Sequence, residues 1–194
     1  MSASGRRAAA AITFRPLAFA DCALLTLWLA EPHVRRFYQK QPITLVEVEA
    51  EYGPTIRGEE PSLSHIAAAG GVPFGYIQCY ANMAYPDYAD TIGVDHGVSV
   101  DLYIGDPAFV GRGFGRAMLA GYFARVAFPA YPDEMLAYIA HEPDNLAALA
   151  CSLAVGFKPL RQIVEDGVVD QLLVLRRADL RMAASGAARR PTAK

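Results

Sequence analysis

Val110-Gly-Arg-Gly-Phe-Gly-Arg-Ala-Met-Leu119 contains three glycines at alternate positions and two arginines, and it leads into an apolar segment typical of a helix. Just upstream, residues 97–104 alternate apolar and polar side chains with the period of a strand. Backbone amides at a helix N-terminus are unpaired and bind phosphate oxygens, and glycine allows a close approach. The unit is therefore predicted to be a strand, a phosphate-binding loop and a helix, in which Arg112 and Arg116 add charge-assisted hydrogen bonds.

Two common phosphate-binding motifs do not fit this loop. It lacks the Gly-Lys-Ser/Thr ending of a P-loop, and the spacing of Gly111, Gly113 and Gly115 departs from the Rossmann pattern. An ordinary tight turn before a helix is the simpler alternative, and the glycines alone leave it open.

Length and composition predict one domain. The chain has 194 residues, of which 53% are hydrophobic, and this is enough for a full hydrophobic core. We place the domain at residues 11–178 and expect disordered tails at residues 1–10 and 182–194. The net charge of −2 gives no support for nucleic-acid binding, and no segment resembles a signal peptide or a membrane-binding run. We therefore expect a cytoplasmic protein without membrane partners. The three cysteines are scattered and lack nearby histidines, so no metal site is predicted.

The order of the predicted elements indicates an α/β fold with a mixed sheet. Thr44 and Glu47 form a capping box at the start of one helix, and Gly70-Gly71 marks a hairpin. A polar loop that contains tyrosines and acids is predicted for residues 81–96. The elements are, in chain order, a strand at 12–16, helices at 21–30, 32–38 and 45–57, strands at 64–69, 72–80 and 98–104, a helix at 113–128, a strand at 134–140, a helix at 145–155, and strands at 157–164 and 168–175.

Several segments resemble one family. Gly113-Phe-Gly115 matches the end of the acyl-coenzyme A loop of GNAT acetyltransferases, Gln/Arg-x-x-Gly-x-Gly/Ala, with Val110 at the position of Gln or Arg. Over residues 12–176 the chain resembles aminoglycoside 6′-N-acetyltransferases. The resemblance implies the GNAT fold, a strongly twisted mixed sheet with helices on both faces, and acetyl-coenzyme A as cosubstrate. The matching stretches are Trp28–Tyr38, Tyr52–Pro61, Gly75–Tyr80, Val100–Pro107 and Glu142–Phe157.

The resemblance also assigns the catalytic and coenzyme residues. An ammonium group must lose a proton before it attacks a thioester, and Asp101 stands at the position of the family's essential aspartate. Backbone amides of the strand would pair with pantetheine, and amides of the glycine loop would hold the pyrophosphate. The residues expected to bind the coenzyme are Leu102, Tyr103, Ile104, Arg112, Gly113, Phe114, Gly115, Arg116 and Asn145.

The expected acceptor is a small-molecule amine, and a polycationic antibiotic would need several carboxylates around the pocket. For the aromatic residues assigned to this pocket, packing in the core is the alternative explanation. The acceptor residues that the resemblance implies are Tyr38, Tyr52, Glu60, Gln78, Tyr80, Asp95 and Glu142.

One position departs from the family. Ser152 stands where these enzymes have a tyrosine that is proposed to protonate the coenzyme A thiolate, so that role does not carry over. His141, like His65 and His96, has no evident partner in the sequence.

A siderophore hydroxylysine or another metabolite amine remains an alternative acceptor, and a non-catalytic coenzyme-binding or drug-binding module remains an alternative function. The oligomeric state, monomer or homodimer, stays open.

Overall fold

The computed structural model describes residues 11–165 and 167–182, which are organised around one seven-stranded sheet. The strand order is β1-β2-β3-β4-β5-β7-β6. Neighbouring strands are antiparallel except β4 and β5, which are parallel, so the predicted mixed sheet is confirmed. The predicted disordered tails lie outside the described residues, apart from Met182. The strands are β1 (Ile12–Pro16), β2 (Ser62–Ala69), β3 (Val72–Ala81), β4 (Val98–Ile104), β5 (Leu136–His141), β6 (Lys158–Glu165) and β7 (Val168–Arg176).

The predicted helices are largely present. The capping box is formed, since Thr44 Oγ1 accepts from the Glu47 amide while Glu47 Oε2 accepts from the Thr44 amide at 2.7 Å. The last helix ends at Gly156, whose φ of 118° requires glycine. The helices are α1 (Cys22–Leu29), α2 (Pro32–Arg35), α3 (Leu45–Ile56), α4 (Pro86–Ile92), α5 (Phe114–Tyr122), α6 (Phe128–Ala130) and α7 (Leu146–Val155), and a π turn at Phe123–Ala127 joins α5 to α6.

The predicted loop at residues 81–96 is wrong. Residues 81–96 contain a short 3₁₀ turn at Asn82–Ala84 and the helix α4, because proline at the first helical position is favourable and Ile92 is buried against β6 and β7. Asp21 precedes α1, but its side chain does not cap that helix. Its carboxylate instead accepts two hydrogen bonds from Arg15, each at 2.6 Å, and one from the Ala18 amide.

Strand β4 separates two hydrophobic clusters. Val98 and Val100 face α5, whereas Tyr103 packs with residues of α1 and α3 on the other side. The alternation predicted for this strand is therefore confirmed, and it places Asp101 on the face of α1 and α3 with Tyr103.

A slot opens between β4 and β5. The two strands pair only at Val98 with Ala137 and at Ser99 with Tyr138. Beyond these pairs β4 remains joined to β3 as far as Ile104, and β5 remains joined to β7 as far as His141. The C-terminal halves of β4 and β5 therefore diverge, and the edge of β4 that faces β5 is available to a ligand.

Candidate active site

A chain of hydrogen bonds crosses three strands and ends on the Asp101 carboxylate. Gln78 lies directly opposite Asp101 in the β3–β4 ladder, and its Nε2 donates to Asp101 Oδ2 at 2.9 Å. The Tyr76 hydroxyl donates to Gln78 Oε1 at 2.6 Å and is bonded to Ser64 Oγ at 2.8 Å. The carboxylate is thus held in one orientation by residues of β2 and β3.

The surroundings of Asp101 favour a basic carboxylate. Burial raises the pKa of Asp101 above its ordinary value, while hydrogen bonding from Gln78 and Tyr80 acts in the opposite direction without cancelling the shift. A carboxylate with a raised pKa accepts a proton more readily than an ordinary one. Asp101 therefore has the chemistry of a general base.

Four tyrosines form an aromatic wall beside Asp101. The ring centroids of Tyr38 and Tyr103 are 4.6 Å apart, those of Tyr76 and Tyr103 are 5.4 Å apart, and those of Tyr52 and Tyr76 are 5.3 Å apart. The Tyr103 hydroxyl is buried and makes no hydrogen bond of good geometry with the described residues. Tyr38 and Tyr52 thus belong to the wall beside Asp101, and the buried Tyr103 hydroxyl interacts with the side chain of Tyr52.

A second group of tyrosines links Asp101 to α4. Tyr80 packs against Tyr85 and Tyr88, with ring centroids 4.8 and 5.7 Å apart. Burial, followed by the negative charges of Asp101 and Glu165, raises the pKa of Tyr80. No sequence motif points to Tyr88 or Glu165, because α4 has only seven residues and Glu165 lies at the end of β6, far from Asp101 in the sequence.

The acids predicted for the acceptor site have separate surroundings. Glu142 is paired with Lys40 at 2.7 Å, and Glu60 Oε2 accepts from the Thr55 hydroxyl at 3.4 Å. The charge of Asp95 acts on Tyr138, on the side of the sheet that packs against α4. The charge of Glu60 contributes to raising the pKa of Tyr85, which packs against Tyr80. Glu165 and Glu51 also act on the tyrosines around Asp101, and the charge of Glu51 contributes to raising the pKa of Tyr52.

The glycine loop has the geometry of an anion cradle. Gly111 and Gly113 have φ values of 71° and 82°, and α5 begins directly after Gly113. Arg112 is exposed beside these glycines, while the Arg116 Nε is buried and has no hydrogen-bond partner among the described residues. An unpaired guanidinium nitrogen next to free helix amides fits a phosphate group.

Two other predicted coenzyme residues have evident structural roles. The Phe114 side chain is fully buried between the rings of Phe74 and Phe109, so only its backbone can meet a ligand. Asn145 Oδ1 accepts from the Ala148 amide at 3.2 Å and caps α7.

The end of β4 is held by the Trp28–Tyr38 stretch. His33 Nε2 lies 2.8 Å from the Ile104 carbonyl oxygen, and a Cβ at Gly105 would lie 2.0 Å from the Trp28 ring. Trp28 and His33 therefore fix the strand that carries Asp101, Leu102 and Tyr103, rather than contribute to the chemistry.

A histidine and a serine form a pair on the other side of the slot. His141 Nε2 lies 2.9 Å from Ser152 Oγ, which joins the end of β5 to the middle of α7. The two residues are eleven positions apart and lie on different elements, so no sequence motif indicates the pair.

The fold and the arrangement of the site indicate an acyltransferase, and comparisons with known proteins agree. The chain belongs to the GNAT acetyltransferase family, because residues 18–164 match the family described as "Acetyltransferase (GNAT) domain". Aminoglycoside N(6′)-acetyltransferase type 1 of Klebsiella pneumoniae is 26% identical over 152 residues, covering 76% of this chain and 74% of the relative. The family uses acetyl-coenzyme A as acetyl donor.

Solved structures confirm the fold. Aminoglycoside acetyltransferase AAC(6′)-Ib in complex with coenzyme A superposes with a TM-score of 0.75 at 22% identity, covering 87% of this chain and 96% of that one. An uncharacterised protein from Bacillus halodurans has a TM-score of 0.77 at 19% identity, covering 87% and 85%. Among the described helices, none is long and apolar enough to cross a membrane.

Proposed function

We propose that this chain transfers acetyl from acetyl-coenzyme A to the 6′-amine of an aminoglycoside antibiotic, in a direct reaction within a ternary complex, and thereby confers resistance. The observation that carries the proposal is the oriented Asp101 carboxylate, which stands between an aromatic wall and the slot beside β4. The distant aminoglycoside acetyltransferase relatives support the choice of acceptor.

The coenzyme would be held by the residues predicted for it. Amides of Arg112–Arg116 and the two guanidinium groups would bind the pyrophosphate, and the open edge of β4 at Leu102–Ile104 would pair with the pantetheine arm. When bound, acetyl-coenzyme A supplies the thioester and the leaving thiol. The buried, unpaired Arg116 Nε fits this assignment, because such an atom needs an acceptor.

The acceptor would enter from the tyrosine side. Asp101 takes the proton of the incoming ammonium, so that the nitrogen lone pair can attack the acetyl carbon. Glu51, Glu165 and the predicted acid Glu60 add negative charge around the tyrosines. The predicted acids Asp95 and Glu142 would act farther out. We expect the enzyme to work in the cytoplasm as a monomer or a homodimer.

Steady-state turnover with acetyl-coenzyme A tests the acceptor. Kanamycin or tobramycin should be acetylated with kcat/KM at least about tenfold above that for a hydroxylysine acceptor, a difference of about 1.4 kcal/mol. The Asp101→Asn variant serves as the control for chemistry at this site. Preference for hydroxylysine would assign the enzyme to siderophore acylation, and coenzyme binding without any turnover would favour a binding module.

A further inference from the structure

The His141–Ser152 pair lies across the slot from Asp101. His141 is the last residue of β5, beyond the point where β5 stops pairing with β4, and its side chain shares the sheet face of Ala137 and Ile139 that packs against α5. Asp101 lies on the opposite face of β4. A thioester held in the slot would therefore have the base on one side and this pair on the other.

The direction of the hydrogen bond follows from burial. Ser152 is 1% exposed, and among the described residues its hydroxyl has His141 Nε2 as hydrogen-bond partner. Thr26 of α1 instead uses its hydroxyl to bond the carbonyl four residues back, a bond that Ser152 does not make. A buried hydroxyl needs an acceptor for its proton, so Ser152 donates to Nε2. That bond places the ring proton of a neutral His141 on Nδ1.

The other end of the imidazole is open. Nδ1 has no hydrogen-bond partner among the described residues, and His141 is a half-buried residue. Burial lowers the pKa of His141 to about 4, so the ring is neutral near pH 7. His141 therefore offers a single N–H donor without a positive charge.

We propose that the Nδ1–H of His141 donates a hydrogen bond to the sulfur of the departing coenzyme A, and that Ser152 is the residue that sets the tautomer and direction of this imidazole. The inference rests on the proposed acetyl transfer, but not on the identity of the acceptor. It gives the enzyme a thiolate-binding group at the place where the resembling family has a tyrosine.

The chemistry balances without an acid. The acceptor ammonium gives one proton to Asp101, and its nitrogen then forms the bond to the acetyl carbon. The carbon–sulfur bond breaks, the sulfur keeps the electron pair, and the second nitrogen proton leaves to solvent. His141 stabilises the resulting thiolate by a hydrogen bond and retains its own proton. A free Cys thiol has a pKa of about 8.5, so a thiolate of this type needs a donor rather than a strong acid near pH 7. Solvent then sets the protonation of the product.

A titration of bound coenzyme A tests the proposal without any acceptor. The ultraviolet absorbance of the thiolate, followed against pH in the binary complex, should give a thiol pKa lower in the unmodified protein than in His141→Phe by about one unit, a tenfold change in proton affinity. Charged Arg116 of α5 and Asp170 of β7 are unchanged in both proteins, so the difference reports the histidine.

Matched variants keep the titration decisive. Ser152→Ala should give an intermediate thiol pKa, and Ser152→Thr should restore the original one. Thr26→Ala removes a side-chain hydroxyl hydrogen bond of 2.8 Å within α1, outside the site, and should leave the thiol pKa unchanged. Equal thiol pKa values in folded, coenzyme-binding His141→Phe and unmodified proteins would overturn the inference. Failure of coenzyme A to bind the unmodified protein would overturn the proposed function as well.

Turnover supplies a second readout. His141→Phe should lower kcat about tenfold with KM for the acceptor within about twofold, and Ser152→Ala should lower it about threefold. Because Ser152 acts through His141, the double variant should be no slower than His141→Phe alone. Multiplicative losses in the double variant would show that the two residues act independently and would contradict the assigned role of Ser152.

Discussion

The side-chain amide of Gln78 donates to the Asp101 carboxylate at 2.9 Å from the directly opposite position on the neighbouring strand. The bond favours the ionised carboxylate, whereas burial favours the protonated one, and burial is the larger effect on the Asp101 pKa. The pKa of Asp101 can thus be changed through Gln78 without replacing Asp101 itself.

Replacing Gln78 by methionine keeps the length of the side chain and removes the donor. We expect the pKa of Asp101 to rise further, because its charged form loses a hydrogen bond. The acid limb of the kcat/KM profile should move to higher pH by about one unit. Tyr76→Phe, which removes a bond to Gln78 rather than to Asp101, should cause a smaller shift, and an unmoved limb in Gln78→Met would exclude Asp101 as the titrating base.

Asp101→Asn should lower turnover by about 100-fold or more, while the dissociation constant for acetyl-coenzyme A stays within about twofold. Calorimetry provides the affinity and steady-state kinetics the turnover. Near-normal turnover over the whole pH range would assign Asp101 a structural role.

The same variant should also reveal the cost of burying the charge. The folded-state pKa of Asp101 is raised, so the folded protein binds the proton more tightly than the unfolded chain. The contribution of Asp101 to stability is therefore full below its unfolded pKa and is lost as pH rises through its folded pKa. The melting temperature of Asp101→Asn relative to the unmodified protein should increase between acidic and neutral pH.

Gly113→Val should weaken acetyl-coenzyme A binding at least about tenfold, or 1.4 kcal/mol. A side chain is strained at the φ of 82° and would displace the amides that face the phosphates. Gly58→Val is a matched control, since Gly58 has a φ of 73° and open space around it, away from the loop. Unchanged affinity in a folded Gly113→Val protein would contradict the phosphate-binding role.

Glu165→Gln should raise KM for a polycationic acceptor by about fivefold more than for a monoamine, because its charge acts at Tyr80 and Tyr88 beside Asp101. Asp95→Asn should have the smaller effect, since Asp95 acts on Tyr138. Added salt should reduce the difference between the two acceptors. A larger effect at Asp95 would place the acceptor beside Tyr138 instead.

Much of the fold could be predicted from periodicity and glycine positions. The alternation in Val98–Ile104 and the turn at Gly70-Gly71 are local signals, and both led to strands where the structure has them. Helix α4 could not be predicted, because its seven residues are too few to show a helical period. The slot could not be foreseen, because it results from the end of pairing between two strands that are far apart in the sequence.

The candidate site likewise contains residues that local sequence motifs predict and residues that they do not. Asp101 and the glycine loop could be assigned because each lies in a continuous motif. The roles of Glu165 and His141 depend on partners brought together from distant elements, so no spacing in the sequence reveals them. Ser152 illustrates the point, since its departure from the family was visible but its histidine partner was not.

The contacts of Trp28 and His33 with the end of β4 have a thermodynamic consequence. These residues belong to the same N-terminal segment that carries Tyr38, and the strand they hold forms one edge of the slot. In the proposed binding mode the two substrates share this structural element, so stabilisation of the element by one substrate changes the affinity for the other. Linkage requires the effect to be reciprocal: whatever factor the first ligand adds to the affinity for the second, the second adds to the first.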